Sequence, residues 1–149
     1  MYVSLYKYLN APFGAILAGG REFIDGLSHQ RRMFGGGLNQ VWPAAALALH
    51  SLPGFAADYR KVIEKTGRLA EMVNSLEGFG FESIPMGTNV FRLRLPEHVG
   101  PALFRNSLED ENILLPVCEK EFNGFFIKTN ESLLSADLDA IREAFSRFV

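Results

Sequence analysis

The chain has 149 residues, of which 48% are apolar and 21% are charged, and its formal net charge is −2. This composition is typical of a folded protein with a sizeable core and excludes a disordered chain. The small negative charge gives no electrostatic reason to expect nucleic acid or an anionic membrane as a partner. A single cysteine, Cys118, excludes an internal disulfide, and no apolar run reaches the ~20 residues that span a bilayer. We therefore expect a cytoplasmic protein.

The first part of the chain predicts a short strand followed by two helices. Ala15 to Ala18 is predicted to be a short buried strand, because it is an apolar run between glycines. Apolar residues at helical spacing then predict a short helix from Arg21 towards Arg32. Gly35 to Gly37 ends it, since three glycines cost too much backbone entropy inside a helix. A second, alanine-rich helix is predicted from Leu38 to Leu52, with Pro53-Gly54 closing it.

A longer amphipathic helix is predicted to link the two parts of the chain. Apolar residues recur at three- and four-residue steps from Tyr59 to Leu76, and charged residues occupy the opposite face. Gly78 and Gly80 are predicted to stop this helix. The pattern favours a helix with one buried stripe.

The remainder of the chain predicts a small α+β domain. Alternating apolar and polar residues from Val90 to Leu95 predict a strand with one buried face. Pro101 suits the first turn of a short helix. Two further strands are predicted, at Ile113 to Val117 and at Phe125 to Lys128. Ser135 is the candidate N-cap of a last helix, whose apolar stripe is predicted to be buried.

Two motifs in the first part of the chain carry the chemistry. The first is Ser4-Leu5-Tyr6-Lys7 with Ala11-Pro12-Phe13-Gly14 and Leu17-Ala18-Gly19 behind it. A lysine that reacts with a carbonyl must be held rigidly, and a turn fixed by proline and glycine could hold Lys7. Taken alone, Lys7 is better interpreted as an exposed, mobile lysine. The second motif is Arg31-Arg32, followed by a triple glycine, Asn39-Gln40 and the alanine-rich helix.

Together the two motifs resemble threonine aldolases, which belong to the β-eliminating lyases among the fold-type-I pyridoxal-phosphate enzymes. The resemblance is strong from Val3 to about Leu49 and architectural beyond that. It implies an α/β fold class, the C-terminal portion of a fold-type-I PLP-dependent transferase-like fold. The edge of the large cofactor-binding domain would occupy residues 1–54, a linking helix residues 55–80 and the small α+β domain residues 81–149.

The resemblance also implies a function. Such enzymes cleave β-hydroxy amino acids such as threonine to glycine and an aldehyde, and their site lies between subunits of a dimer. Pyridoxal 5′-phosphate would be the cofactor, an amino acid the substrate, and a homodimer or higher homo-oligomer the assembly. Lys7 would be the catalytic residue and would hold the cofactor covalently. The residues expected near the phosphate or the dimer interface are Arg31, Arg32, Gly36 and Asn39. For the two arginines a solvated helix end is an equally good interpretation, since cations favour that end of the helix dipole.

The sequence departs from the family's pattern at several positions. Asn39 stands where many threonine aldolases have a phosphate-contacting arginine, so it offers a hydrogen bond without charge. Tyr8 replaces a residue that is commonly glycine. Many relatives place an arginine for the substrate carboxylate on the strand that here ends at Lys128. Lys128 is the one cation on that strand, and it brings charge without the bidentate fork of arginine. Arg92 and Arg94 share one strand face, where solvation is the simpler interpretation and anion binding the alternative.

Several parts of the family's site precede the lysine in sequence: the phosphate-binding loop, the residue stacked on the cofactor ring and the aspartate on the pyridine nitrogen. Six residues cannot hold them, so we expect this chain alone to be a weak catalyst or none. The alternative is a truncated, non-catalytic product that acts as an oligomerisation or binding module. Its 13 phenylalanines favour this alternative, because uncovered apolar surface needs a partner. No metal site is expected, since the three histidines have no ligand spacing.

Overall fold

The computed structural model describes residues 1–119 and 121–149. The chain divides into two compact units, Met1–Ala57 and Asp58–Val149. Within the described residues, no helix combines the length and apolarity needed to cross a membrane. The elements in chain order are β1 (Tyr2–Ser4), α1 (Leu5–Tyr8), β2 (Ala15–Leu17), α2 (Arg21–Asp25), α3 (Leu27–Met33), α4 (Trp42–Asn74), β3 (Gly80–Ser83), β4 (Val90–Arg94), α5 (Pro101–Glu109), β5 (Gly124–Lys128), a 3-10 helix (Glu131–Ser135) and α6 (Leu138–Ser146).

The first unit contains a two-stranded antiparallel ribbon in which β1 pairs with β2 and Val3 lies opposite Ile16. The predicted strand is therefore confirmed, but the prediction that it is buried is wrong. All three residues of β2 are exposed, because β2 pairs with β1 alone and a two-stranded ribbon leaves its faces open. The helix predicted towards Arg32 forms as α2 and α3, and it ends before Gly35, whose φ of +77° favours glycine.

The core of the first unit is small, and three of its four buried residues are alanines. Its buried residues come from the loop after α1 and from the first turns of α4. Leu5 and Phe55 pack against this cluster. The short alanine side chains let the loop approach the helix closely, so the turn that carries Lys7 is anchored to α4. The buried members are Leu9, Ala11, Ala44 and Ala48.

The prediction that Pro53-Gly54 closes a helix is wrong, because α4 continues through Pro53 to Asn74. A proline inside a helix removes one main-chain hydrogen bond and costs about 3 kcal/mol. The residues on both sides of Pro53 are nevertheless held by packing, since Ala48 before it and Val62 after it are both buried. Burial of the helix before and after the proline offsets its local cost.

The second unit is a three-stranded antiparallel sheet, in the order β3-β4-β5, covered by helices. Leu93 in the central strand lies opposite Phe81 on one side and Phe125 on the other. These three side chains are buried, and Phe104 of α5 is buried with them. The predicted strands at β4 and β5, the helix at Pro101 and the buried stripe of the last helix are confirmed.

Two other expectations for the second unit are wrong. Ile113 to Val117 lies outside the sheet, because both neighbours of β4 are already taken by β3 and β5. Its apolar residues instead pack partly against the core. Ser135 does not cap α6, since it ends the 3-10 helix and its hydroxyl donates to the Ser132 carbonyl at 2.9 Å. Asp137 is the cap, and its carboxylate accepts from the main-chain N–H of Asp139 at 2.9 Å.

Candidate functional site

Lys7 lies on α1, a single helical turn between β1 and the loop to β2. Main-chain hydrogen bonds close this loop: Leu5 N–H donates to the Gly14 carbonyl at 3.0 Å, and Ala11 N–H donates to the Leu5 carbonyl at 3.3 Å. Gly14 has a φ of +109°, which other residues rarely adopt. The backbone around Lys7 is therefore held, while its side chain is exposed. No hydrogen bond or ion pair joins its amine to any residue in the described part of the chain.

Tyr8, the residue after the lysine, is half-buried. Its ring centre lies 6.0 Å from that of Phe55, at an interplanar angle of 54°. Tyr8, which stands where relatives commonly have glycine, thus packs against Phe55 of α4. This contact adds to the anchoring of the α1 turn.

Arg31 and Arg32 lie in the last turn of α3, where the negative end of the helix dipole favours cations. The triple glycine folds back onto this turn: Gly36 N–H donates to the Arg31 carbonyl at 2.7 Å. A Cβ on Gly36 would lie 2.9 Å from that same carbonyl oxygen. Close approach to the protein's own backbone therefore requires glycine at position 36, independently of any ligand. The structure brings Arg31 and Gly36 together.

A concavity of about 490 Å³ in the first unit is bordered by Arg31 and Phe34. Its other walls are mainly apolar residues of β2, α2 and α3, together with Ser28 and Gln30. Lys7, Arg32 and Asn39 are absent from this lining. Asn39 is exposed, and its amide has no hydrogen bond with another described residue. The predicted cofactor-binding residues are therefore not all gathered at one cavity.

The register of β4 and β5 settles which residues of the second unit face each other. Lys128 is exposed and lies opposite Val90, whereas Phe126 lies opposite Arg92. The interpretation of two solvated arginines on β4 holds for Arg94, whose Nε lies 3.7 Å from a carboxylate oxygen of Glu82. For Arg92 it is wrong, because this residue is half-buried and packs against two aromatic rings. Alternation along β4 predicted its face, but only strand pairing reveals its neighbours.

A second cavity, of about 650 Å³, lies within the second unit. Its walls include apolar core residues such as Leu69 and Phe81, together with Lys128 and the buried Thr129. No cluster of three or more His, Cys, Asp or Glu side chains that could hold a metal ion occurs among residues 1–119 and 121–149.

The family model described as "Beta-eliminating lyase" matches residues 1–93, and the chain belongs to this family of lyases. Two relatives are the low-specificity L-threonine aldolase 1 of Arabidopsis thaliana, 29% identical over 119 residues, and the low specificity L-threonine aldolase of Escherichia coli K12, 30% identical over 101 residues. These matches cover 76% and 68% of this chain, and 32% and 29% of the relatives. The resemblance to threonine aldolases is confirmed, and the chain spans about a third of the length of the curated relatives it matches.

A solved structure from Listeria monocytogenes, provisionally named an L-allo-threonine aldolase, has the same fold. It matches 99% of this chain with a TM-score of 0.77 at 22% identity, and the match covers 44% of that chain. The predicted fold class, the C-terminal portion of a fold-type-I transferase-like fold, is confirmed. The division at residues 54 and 80 stays a prediction.

Proposed function

We propose that this chain carries the cofactor-lysine segment of a threonine aldolase-like lyase that cleaves β-hydroxy amino acids to glycine and an aldehyde. The observation that carries the proposal is the state of Lys7. Its backbone is anchored to α4 while its amine is exposed and unpaired among the described residues. A nucleophilic lysine needs a rigidly held backbone together with an available amine.

The residues present fit pyridoxal 5′-phosphate at two points. The Lys7 amine forms no hydrogen bond or ion pair with a described residue, so it is available for covalent attachment to an aldehyde. Arg31 and Arg32 are exposed and form no ion pair with another described residue, so their guanidinium groups are available for phosphate oxygens. Asn39 adds an amide donor. When bound, pyridoxal phosphate supplies the electron sink for cleavage of the Cα–Cβ bond.

The roles of the side chains follow from their chemistry. The Lys7 amine would hold the cofactor covalently, and a free Lys7 amine would hold a proton at Nζ. The two arginines bind anionic oxygen and orient it through their planar donors. Lys128 stays a predicted carboxylate ligand, and an amino acid substrate and a cytoplasmic location likewise stay predictions.

The test is covalent labelling of the purified chain with pyridoxal phosphate. We expect a visible absorbance band that borohydride converts into a stable adduct on the peptide containing Lys7. Lys7→Ala should lose this adduct completely. Lys61→Ala is the matched control, because Lys61 is also an exposed helical lysine but already pairs with Asp58 at 2.7 Å. Equal labelling of both variants, or labelling spread over many lysines, would contradict the assignment of Lys7.

A second candidate function, an association module, is favoured by the apolar surface of the first unit. Phe34 is 85% exposed, Trp42 71% and Leu49 66%. Apolar side chains exposed to this extent over one unit favour burial against another chain. We infer that the occupant is a second copy of this chain, in a homodimer or higher homo-oligomer.

Sedimentation velocity across a concentration series tests this association. We expect a dimer or larger species whose population rises with concentration, and we expect Trp42→Asp to shift it towards monomer. Leu103→Asp serves as the control, because Leu103 is 67% exposed but lies in the second unit. A monomer at every concentration would count against the association module. If pyridoxal phosphate labels Lys7 in a protein that stays monomeric, the result would support the lyase function without the association module.

A further inference from the structure

The outer face of the sheet in the second unit carries an arginine whose surroundings are unusual. Leu93 and Phe125 are buried in the core, so strand alternation places Arg92 on the opposite face of β4. The register sets it directly across from Phe126. Its guanidinium carbon lies 5.9 Å from the centre of the Phe126 ring and 5.2 Å from that of Phe122.

The Arg92 guanidinium has no anionic partner among the residues that the structure describes. Its Nε is buried and has no hydrogen-bond acceptor. Glu82 is its register partner on β3, yet the Glu82 carboxylate is drawn to Arg94, whose Nε is 3.7 Å away. An unsatisfied buried donor destabilises a fold, and the cost is larger when the group is charged. The fold therefore retains a cation whose hydrogen bonds are not used within the chain.

The two phenylalanine rings hold this cation without using its donors. A guanidinium over an aromatic face is stabilised by the ring quadrupole. Arg92 as a whole is only half-buried, and Nε is the one nitrogen of its side chain that is both enclosed and unsatisfied. The terminal amino groups are thus left open to solvent. A planar fork with free donors matches an oxyanion with two oxygens in one plane.

We propose that Arg92, which lies against the adjoining rings of Phe122 and Phe126, binds a small oxyanion, with a carboxylate as the favoured ligand. Free phosphate shares the same recognition chemistry and is the other possible source of the oxyanion. The site lies wholly within the second unit and is independent of Lys7 and of the proposed lyase activity. The Glu82 carboxylate would compete with an added oxyanion for Arg92, because Glu82 lies opposite Arg92 in the register of β3 and β4 and therefore on the same face of the sheet.

The test follows the side-chain Nε–Hε NMR signals of the arginines while acetate or inorganic phosphate is added at constant ionic strength. We expect the Arg92 signal to shift saturably, and the Arg94 signal to stay in place. Arg92→Lys keeps the charge but loses the fork, and should weaken binding roughly tenfold, as followed by the main-chain amide signals of β4 and β5 in both the parent protein and the variant. Glu82→Gln should strengthen it, and Arg94→Lys should leave it unchanged.

Each result decides between defined outcomes. If acetate saturates the Arg92 shift at a lower concentration than phosphate does, the result supports a carboxylate site. If only phosphate saturates the shift, the result supports an oxyanion site at Arg92 whose ligand is phosphate. Equal, non-saturating shifts of Arg92 and Arg94 with both probes would overturn the proposal. Unchanged binding in Arg92→Lys, with the main-chain spectrum intact, would overturn it as well. Because no cofactor is added, failure here is distinguishable from failure of the Lys7 labelling.

Discussion

Phe104→Ala is expected to lower the free energy of unfolding of the second unit by about 3–5 kcal/mol. Phe104 is 0% exposed. Its ring lies edge-on to Phe145 and Phe148, with centres 5.0 Å away in both cases. It also contacts Phe79 at 5.7 Å and Phe125 at 6.2 Å. Truncation would leave a cavity among four rings that come from three separate segments of the chain, which limits how far the surroundings can collapse to fill it.

Urea denaturation followed by circular dichroism measures this loss. Stabilities of small domains are roughly 5–15 kcal/mol, so the variant should unfold at a much lower denaturant concentration. Leu103→Ala is the matched control, because Leu103 precedes Phe104 on α5 but is 67% exposed. We expect the control to change stability by less than about 0.5 kcal/mol. Similar losses in both variants would show that Phe104 does not organise the core.

Gly124→Ala is the second change with a large expected effect, about 3 kcal/mol of destabilisation with loss of pairing between β4 and β5. A Cβ on Gly124 would overlap the Leu93 carbonyl oxygen and would lie 2.9 Å from the Phe122 ring. The first neighbour is backbone of the adjacent strand and cannot move without breaking the ladder. Displacement of Phe122 would also remove one wall of the Arg92 site.

Hydrogen exchange of the β4 and β5 amides reports the pairing, and thermal denaturation reports the stability. Gly100→Ala is the control, because a Cβ there meets no atom within 4 Å and its φ is −74°. We expect faster exchange along β5 in Gly124→Ala and unchanged exchange in Gly100→Ala. Equal protection in both variants would contradict a steric requirement for glycine at position 124.

Much of the fold could be predicted from local patterns. Period-two alternation identified β4, and the apolar stripe of α6 identified its buried face. Pro101 marked the start of α5. The same holds for the chemistry, since the residues around Lys7 and the triple glycine led to the family without any contact being known. Such signals are local because each depends on a few neighbouring side chains.

Other features depend on neighbours distant in sequence. The helix continues through Pro53 because buried residues on both sides offset the proline, and no local rule weighs that packing. Asp137 caps α6 in place of Ser135 because the 3-10 helix already uses the serine hydroxyl. Asp and Ser have similar capping preferences, so sequence could not rank the two.

The sequence by itself determined the family, because two motifs resemble threonine aldolases, and it determined the order of most helices and strands, because these follow from local periodicity. The role of Lys7 stays a prediction. Tertiary structure decided which side chains are paired. The register of β4 with β5 placed Arg92 against Phe126, and folding of the glycine loop placed Gly36 on the Arg31 carbonyl. Burial, ion pairing and close backbone approach are properties of residues that meet in space, and so only the folded chain specifies them.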